Sequence, residues 1–157
     1  MPHQAIGWFC DDVRQERGNK ETFVGVYGDR VTVTTFPGAF KRMTIVARIH
    51  LDVEVAVNEI KLFLRTPDGE EGEIANFPLE GMEDGRRATI ERGMPYILVS
   101  AQATIEPLMI STPGLVQAFL EINGQRQILS SLVVRQRQQP NSSTAAAQPS
   151  SQSPSDA

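Results

Sequence analysis

Cysteine and histidine are almost absent from this chain. Its 157 residues include a single cysteine, Cys10, and two histidines. One cysteine excludes an internal disulfide framework and a cysteine-rich zinc site. Apolar runs are short as well, and none approaches the roughly 20 residues that a membrane-spanning helix needs. We therefore expect no membrane association and no cofactor.

Positive charge and aromatic side chains are also scarce. Fifteen Lys and Arg stand against nineteen Asp and Glu, a net charge of −4, and aromatic residues make up 6% of the chain. A nucleic-acid-binding domain presents a basic surface, and single-strand or carbohydrate binding needs rows of exposed rings. We therefore expect no nucleic-acid partner. Residues 1–4 lack the basic, apolar character of a secretory signal, which predicts a cytoplasmic location.

The composition changes after Arg135. Residues 136–157 contain no Val, Ile, Leu, Met or aromatic residue and are rich in Ser, Gln, Pro and Ala. Such a segment buries too little apolar surface to offset about 1–2 kcal/mol of backbone entropy per ordered residue. The sequence therefore predicts a folded domain over residues 1–135 and a disordered tail over residues 136–157.

Alternating apolar residues dominate the folded part. Every second residue from Ile45 to Val57 is apolar, and a row with its phase shifted by one resumes at Ile60. A period of two predicts strands, and the shift predicts a turn or bulge within residues 54–59. A helix over residues 53–64 also fits the spacing, but the many β-branched residues favour a strand.

Turn residues separate further predicted strands. Pro-Gly pairs at residues 37–38 and 113–114 and the Pro67-Asp68-Gly69 run are typical of turns. Asn123-Gly124 predicts a two-residue hairpin that pairs Ile122 with Gln125, Glu121 with Arg126 and Phe119 with Ile128. Strands are also predicted at residues 5–10, 22–27, 30–35, 60–65, 72–77, 87–92, 96–105, 115–122 and 125–135. Short strands without a long amphipathic helix predict an all-β fold, namely an antiparallel β-sandwich or, alternatively, a partly open β-barrel.

The N-terminal third resembles a known family of uncharacterised bacterial proteins. The chain reads Trp8-Phe9-Cys10-Asp11-Asp12-Val13-Arg14 and then Phe23-Val24-Gly25-Val26-Tyr27. This matches a family pattern of C-[DE]-D-[VI]-R followed by a turn and a G-[VI]-[YF] strand, and the resemblance covers about residues 5–135. It implies a compact β-sandwich of unknown function with no agreed catalytic residues to transfer.

Asp11, Asp12 and Arg14 within this motif are candidate binding residues. They are charged side chains at the end of a predicted strand, where they form a polar recognition spot if exposed. The alternative is structural, because an Asp caps turns and an Arg pairs with an acid to hold one.

Asp68, Glu70 and Glu71 are candidate metal ligands. They lie close together in a predicted turn, and Ca²⁺ is bound by carboxylates on adjacent loops. Their spacing is not that of an EF-hand, and acids in a turn are commonly just solvated. His50 and Asp52 share a strand face, but no Gly-x-Ser-x-Gly motif supplies a nucleophile beside them. Cys10 is expected to be a core thiol, since the neighbouring acids disfavour the thiolate.

Three functions are compatible with these observations. The first is a non-catalytic β-sandwich that binds another protein or assembles with copies of itself, and it is the one we expect. The second is a calcium-dependent hydrolase or binding domain that uses the acidic loops. The third is a structural component of a phage-like particle. The residues alone do not separate the first from the third.

Overall fold

The computed structural model describes residues 3–18 and 20–137, so the predicted disorder of the tail lies outside the described residues from residue 138 onward. Strands dominate, in the order β1 (Gln4–Cys10), β2 (Asp12–Glu16), β3 (Lys20–Val24), β4 (Arg30–Val33), β5 (Gly38–Phe40), β6 (Met43–Asp52), β7 (Ile60–Arg65), β8 (Glu71–Asn76), α1 (Met82–Glu91), β9 (Tyr96–Ile105), β10 (Leu108–Ile110), β11 (Gly114–Ile122) and β12 (Gln125–Gln136). The predicted all-β class is confirmed in its coarse form, with one short helix in the described part of the chain. That helix is too short and too polar to cross a membrane.

The strands form two larger and two smaller sheets. The larger sheets have the orders β1-β6-β9 and β4-β12-β11-β7-β8, and the smaller ones are the pairs β2-β3 and β5-β10. Pairing is antiparallel except between β12 and β4, which run parallel. The sandwich arrangement stays a prediction.

The hydrophobic core joins both larger sheets. Apolar side chains of β6, β7, β11 and β12 pack in one buried cluster, because alternate residues of each strand point to the same side. β1 and β12 approach closely within this core. A Cβ added to Gly7 would lie 2.7 Å from the Val46 carbonyl oxygen and 3.1 Å from the Cβ of Leu129, so no larger residue fits there without a shift.

The predicted hairpin at Asn123-Gly124 is confirmed in every pair. Ile122 lies opposite Gln125, Glu121 opposite Arg126, and Phe119 opposite Ile128. A two-residue turn with positive φ at both positions fixes this register. The predicted turn within residues 54–59 is confirmed too, because β6 ends at Asp52 and β7 begins at Ile60.

The strand predicted at residues 87–92 is wrong, since this segment belongs to α1. Glu83 forms ion pairs with Arg86 and Arg87 at helical spacing, and Glu83 and Asp84 occupy the first turn, where acidic groups favour the helix. Hydrogen bonds from the amides of residues 93 and 94 to the carbonyls of residues 90 and 89 end the helix. Short strands β2, β5 and β10 were not predicted, and β12 extends to Gln136, one residue into the predicted tail.

The β2–β3 hairpin covers half of the outer face of sheet β1-β6-β9. Trp8 and Phe23 pack edge to face with ring centroids 5.1 Å apart, and Arg48 forms an ion pair with Glu21. Val46, which points outward, is consequently buried. The other half of this outer face, near the start of β1 and β9, carries exposed apolar side chains.

Candidate functional site

The first predicted binding residue, Asp11, lies between β1 and β2 and is engaged with the next strand connection. Its amide donates a hydrogen bond to the Val24 carbonyl at 2.9 Å, and its carboxylate accepts one from the Tyr27 hydroxyl at 2.6 Å. Gly25 has φ 63°, and a Cβ on it would lie 2.0 Å from Oδ2 of Asp11. These contacts fix Asp11 as part of the corner between β1, β2 and β3.

The groups nearest Asp11 are poor nucleophiles at neutral pH. Burial, together with the hydrogen bond and the charge of Asp11, raises the pKa of Tyr27 far above its ordinary value. Cys10 is fully buried, as predicted, and burial followed by the charges of Asp11 and Asp12 raises the pKa of its thiol. Since thiolate and phenolate are the reactive forms, this corner is not activated for covalent chemistry.

Asp12 and Arg14 lie at a cleft beside this corner. Asp12 forms an ion pair with Arg42 at 3.2 Å and a longer one with Arg14 at 3.9 Å. Arg42 also lies 3.9 Å from Glu106, which follows β9. The cleft has a volume of about 380 Å³ and is lined by Asp11, Asp12, Tyr27, Lys41, Arg42 and Glu106. The structure thus brings Asp11 and Asp12 together in the cleft, while Arg14 is exposed at its margin, and their binding role stays a prediction.

Of the three predicted metal ligands, Asp68 and Glu71 have other side-chain partners, and Glu70 takes part in the turn through its amide and carbonyl. Asp68 accepts hydrogen bonds from the Thr66 hydroxyl at 2.5 Å and the Glu70 amide at 3.3 Å, the pattern of an Asx-turn. Glu71 accepts hydrogen bonds from Arg126 and Arg65, which lower the pKa of its carboxyl. Both carboxylate oxygens of Glu71 therefore face guanidinium groups.

Within residues 3–18 and 20–137, no three His, Cys, Asp or Glu side chains converge in a geometry that could hold a metal ion. Asp68 and Glu71 turn to different partners, so the turn does not bring its acids into one ligand set. The calcium hypothesis stays a prediction without a supporting contact.

The two histidines lie near the same end of sheet β1-β6-β9. His50 is exposed on the outer face and packs against Tyr96, with ring centroids 4.7 Å apart. His3 is buried, and its Nδ1 accepts a hydrogen bond from the Asp52 amide at 3.2 Å. Burial, opposed by the charge of Asp52, lowers the pKa of His3. His3 therefore acts as a neutral anchor for the start of β1.

One long strand edge is open. In the part of the chain that the structure describes, β9 pairs with β6 on one side and with no strand on the other. We call this second side the β9 edge. The ten residues of β9 read YILVSAQATI and include no charged residue and no proline. Proteins normally blunt exposed edges with charge, proline, bulges or a cover, because a bare edge is a template for another strand.

The direction of the free backbone groups follows from one contact. The Val53 amide donates a hydrogen bond to the Pro95 carbonyl at 3.2 Å, which continues the β6–β9 register beyond Asp52 and Tyr96. Because backbone groups alternate in direction along a strand, the odd-numbered residues of β9 face β6. The amides and carbonyls that face the β9 edge are therefore those of Tyr96, Leu98, Ser100, Gln102 and Thr104.

The other edges of the two larger sheets differ from β9. β8 carries Glu71 and Glu73, and β4 has only four residues and begins with Arg30. On β1 the carbonyl of Phe9 accepts a hydrogen bond from the Tyr27 amide. β1 is uncharged as well but has only seven residues, so β9 is the longest uncharged edge of these sheets.

Exposed apolar side chains lie on the outer face near the start of β9. Tyr96 and Leu98 belong to β9 itself, and Ile6 lies two strands away on β1. Ile6, Leu98 and Tyr96 are 66%, 58% and 41% exposed. Leu98 lies opposite His50, and Ile6 lies opposite Arg48 in the next row of the same face. A strand added at the β9 edge would place its own outer side chains beside Tyr96 and Leu98.

Sequence reasoning identified β9 as a strand but not as an edge. Strand order depends on which segments pair across the fold, and alternation along one segment does not reveal it. The one available signal was the absence of charge over residues 96–105 in a chain with 22% charged residues.

Comparison with known proteins places the chain in a family. The sequence pattern of the family of unknown function DUF6941 matches residues 5–135, and the chain belongs to that family. The resemblance noted in the sequence, to a family of unknown function over this same range, is thereby confirmed. The comparison with curated proteins found no match.

Proposed function

We propose that this member of DUF6941 is a non-catalytic protein-interaction module that binds an extended segment of a partner protein along the β9 edge. The single observation that carries the proposal is the edge itself, ten uncharged residues with no hydrogen-bonded strand on the side away from β6 in the described part of the chain. Strand addition at such an edge is a recurring mode of peptide recognition, in which backbone hydrogen bonds supply affinity.

The backbone geometry supports an added strand. Five alternate residues, from Tyr96 to Thr104, direct their amides and carbonyls away from β6, so an incoming strand meets an unbroken row of donors and acceptors. The β6–β9 pairing has no bulge that would twist this row. In the described residues no hydrogen bond joins α1 to the backbone of β9.

The helix flanks β9 on its inner side. Met82 lines small cavities together with Ile97, Val99 and Ala101, which are inner-face residues of β9. The outward-pointing residues Ser100, Gln102 and Thr104 are exposed. α1 and β8 lie close to β9 without hydrogen-bonding to its backbone in the described residues, so an added strand would lie in the plane of the sheet beside them.

The side chains near the edge define the chemistry of the partner. On the outer face Tyr96 and Leu98 offer apolar surface, and on the inner face Ile97, Val99 and Ile105 are only half-buried. A complementary segment is extended and uncharged, with apolar residues on both faces.

We also propose that the larger sheets pack as a sandwich and that the protein works in the cytoplasm with a protein partner.

The chemistry of the polar side chains supports a non-catalytic role. Tyr27 and Cys10 both have raised pKa values, and the carboxylate of Glu71 is occupied by two guanidinium groups. In the cleft beside Asp12, Arg42 forms ion pairs with Asp12 and Glu106, and the hydroxyl of Tyr27 is held by Asp11 in its protonated form.

A backbone-specific variant tests the proposal. The probe is a short peptide of valine and isoleucine residues with terminal lysines for solubility, and binding to the full chain is followed by NMR shifts of β9 amides. Gln102→Pro removes one outward amide and no hydrogen bond to β6, whereas Gln102→Ala changes only the side chain. We expect the peptide to shift β9 resonances in the unmodified chain and in Gln102→Ala, and binding to weaken at least tenfold in Gln102→Pro. Shifts located away from β9, or equal affinity for both variants, would contradict the proposal.

A further inference from the structure

The side-chain pattern of β9 suits pairing with an antiparallel copy of the same strand. Along the inner face the side chains read Ile, Val, Ala, Ala, Ile from residue 97 to residue 105, so bulky residues stand at both ends and small ones in the middle. A strand with this pattern pairs with an antiparallel copy of itself without placing two bulky residues together at the centre. We infer that the segment added at the β9 edge is β9 of a second copy of this chain.

The pairing that follows has its two-fold axis at Ala101. Ser100 then lies opposite Gln102 of the second copy, and Leu98 lies opposite its Thr104. In both copies the amides and carbonyls of these residues face the β9 edge, so each such pair exchanges two backbone hydrogen bonds. Ile97 meets Ile105 across the axis, which buries two side chains that are half-buried in the single chain. The two sheets β1-β6-β9 become one six-stranded sheet.

Charge favours this occupant. Because no residue of β9 is charged, two copies bring no like charges together and bury no ion when they pair. The interface is self-complementary, as a two-fold dimer requires. One strand edge with its flanking side chains belongs to the small class of interfaces, below about 1,200 Å², so we expect dissociation constants of roughly micromolar size.

The chain's own C-terminal segment is a poor alternative occupant. Residues 138–157 include no Val, Ile, Leu, Met or aromatic residue, and they contain Pro140, Pro149 and Pro154. A strand drawn from them would lack donors at the prolines and would leave Leu98 and Ile97 without apolar neighbours. A second copy supplies what this segment lacks.

This inference rests on the proposed function, and its first test is the mass of the full chain by light scattering from about 1 to 500 µM. We expect the unmodified chain and Gln102→Ala to pass from monomer to dimer over this range and Gln102→Pro to stay monomeric. A thermal melt establishes that Gln102→Pro is folded. A monomer at every concentration would overturn the inference, and so would a dimer that persists in folded Gln102→Pro.

Crosslinking tests the register without relying on the proline variant. In Ser100→Cys/Gln102→Cys the two introduced thiols face their counterparts across the axis, and the native Cys10 is too buried to interfere. The matched control is Gln4→Cys/Ile6→Cys, which has the same spacing on the same face of the opposite edge strand β1. We expect mild oxidation to yield a covalent dimer of the first variant at least ten times faster than of the control. Equal rates would overturn the register.

A peptide-binding experiment distinguishes failure of this inference from failure of the proposed function. A peptide of residues 96–105 with terminal lysines is added to the full chain at a concentration where the chain is monomeric. Peptide bound at β9 in a chain that never dimerises would overturn the second-copy inference and leave strand addition in place. A monomeric chain that also ignores the peptide would overturn both.

Discussion

The amide of Val53 donates a hydrogen bond to the carbonyl of Pro95 at 3.2 Å, and this contact shows which way β9 presents its backbone. It continues the ten antiparallel pairs of β6 and β9, so odd-numbered residues of β9 face β6 and even-numbered ones face the β9 edge. The proposed function follows from that edge more directly than from any cluster of reactive side chains.

The close approach of Gly25 to Asp11 predicts that Gly25→Ala lowers the stability of the fold. A methyl group at residue 25 would collide with the Asp11 carboxylate, and φ 63° is unfavourable for any residue with a Cβ. We expect the free energy of unfolding to fall by about 2 kcal/mol, measured by urea denaturation. Gly28→Ala is the matched control, because a Cβ there meets no atom within 4 Å and should change stability by less than about 0.5 kcal/mol. A similar loss in both variants would contradict this account of the corner.

The side chain of Asn123 joins two turns, so we expect its removal to lower the free energy of unfolding. Its Oδ1 accepts hydrogen bonds from the amides of Asn58 and Glu59, at 2.8 and 3.3 Å, and its Nδ2 donates to the Ala56 carbonyl at 2.7 Å. Asn123→Gly keeps the positive φ of the hairpin but removes these contacts. We expect a loss of about 1–2 kcal/mol in urea denaturation. Asn123→Asp keeps the two accepted hydrogen bonds, so a loss as large as that of Asn123→Gly would show that the side-chain clamp is not the cause.

His3 predicts a pH dependence of stability. Burial lowers its pKa below the ordinary value of 6.5, so the unfolded chain takes up a proton as the pH falls below about 7, before the folded chain does. The contribution of neutral His3 to stability is therefore fully present above its unfolded-state pKa of about 6.5 and is lost as the pH falls toward its folded-state pKa. We expect the free energy of unfolding to decrease between about pH 7 and 5 more steeply in the unmodified chain than in His3→Gln, which cannot titrate. Parallel curves for the two proteins would contradict the assignment.

Because guanidinium groups occupy Glu71, we predict that calcium does not change the thermal stability of the chain. Both carboxylate oxygens of Glu71 are occupied by Arg65 and Arg126, and Asp68 is held in its own turn. We expect the melting temperature to be the same in calcium chloride and in a chelator, for the unmodified chain and for Asp68→Asn. A calcium-dependent rise that Asp68→Asn abolishes would instead support the metal-binding hypothesis.

Local features of the sequence predicted local features of the fold. Asn123-Gly124 determined a hairpin register to the residue, because two residues with positive φ permit only one pairing of the flanking strands. The segment at residues 87–92 was misjudged as a strand, although Glu83 at helical spacing from Arg86 and Arg87 was a signal for α1. The parallel pairing of β12 with β4 had no local signal.

The candidate site was less predictable for a physical reason. Clustered charged residues predict possible ligands, yet the carboxylates of Asp11 and Glu71 are bonded to partners that lie far away along the chain. His3, the third residue of the chain, is buried and bonded to the backbone of Asp52. The β9 edge depends on the order of strands in a sheet, which is a tertiary property. Its sequence signal is the lack of charge, which is easily read as the composition of an interior strand.

Amide hydrogen exchange along β9 in dilute solution tests the central claim most directly. We predict an alternating pattern, with slow exchange at the inward amides Ile97, Val99, Ala101 and Ala103 and fast exchange at the outward amides Leu98, Ser100, Gln102 and Thr104. Slow exchange at all of these amides in a chain shown to be monomeric would mean that the edge is already covered. That result would contradict strand addition at β9 as the function.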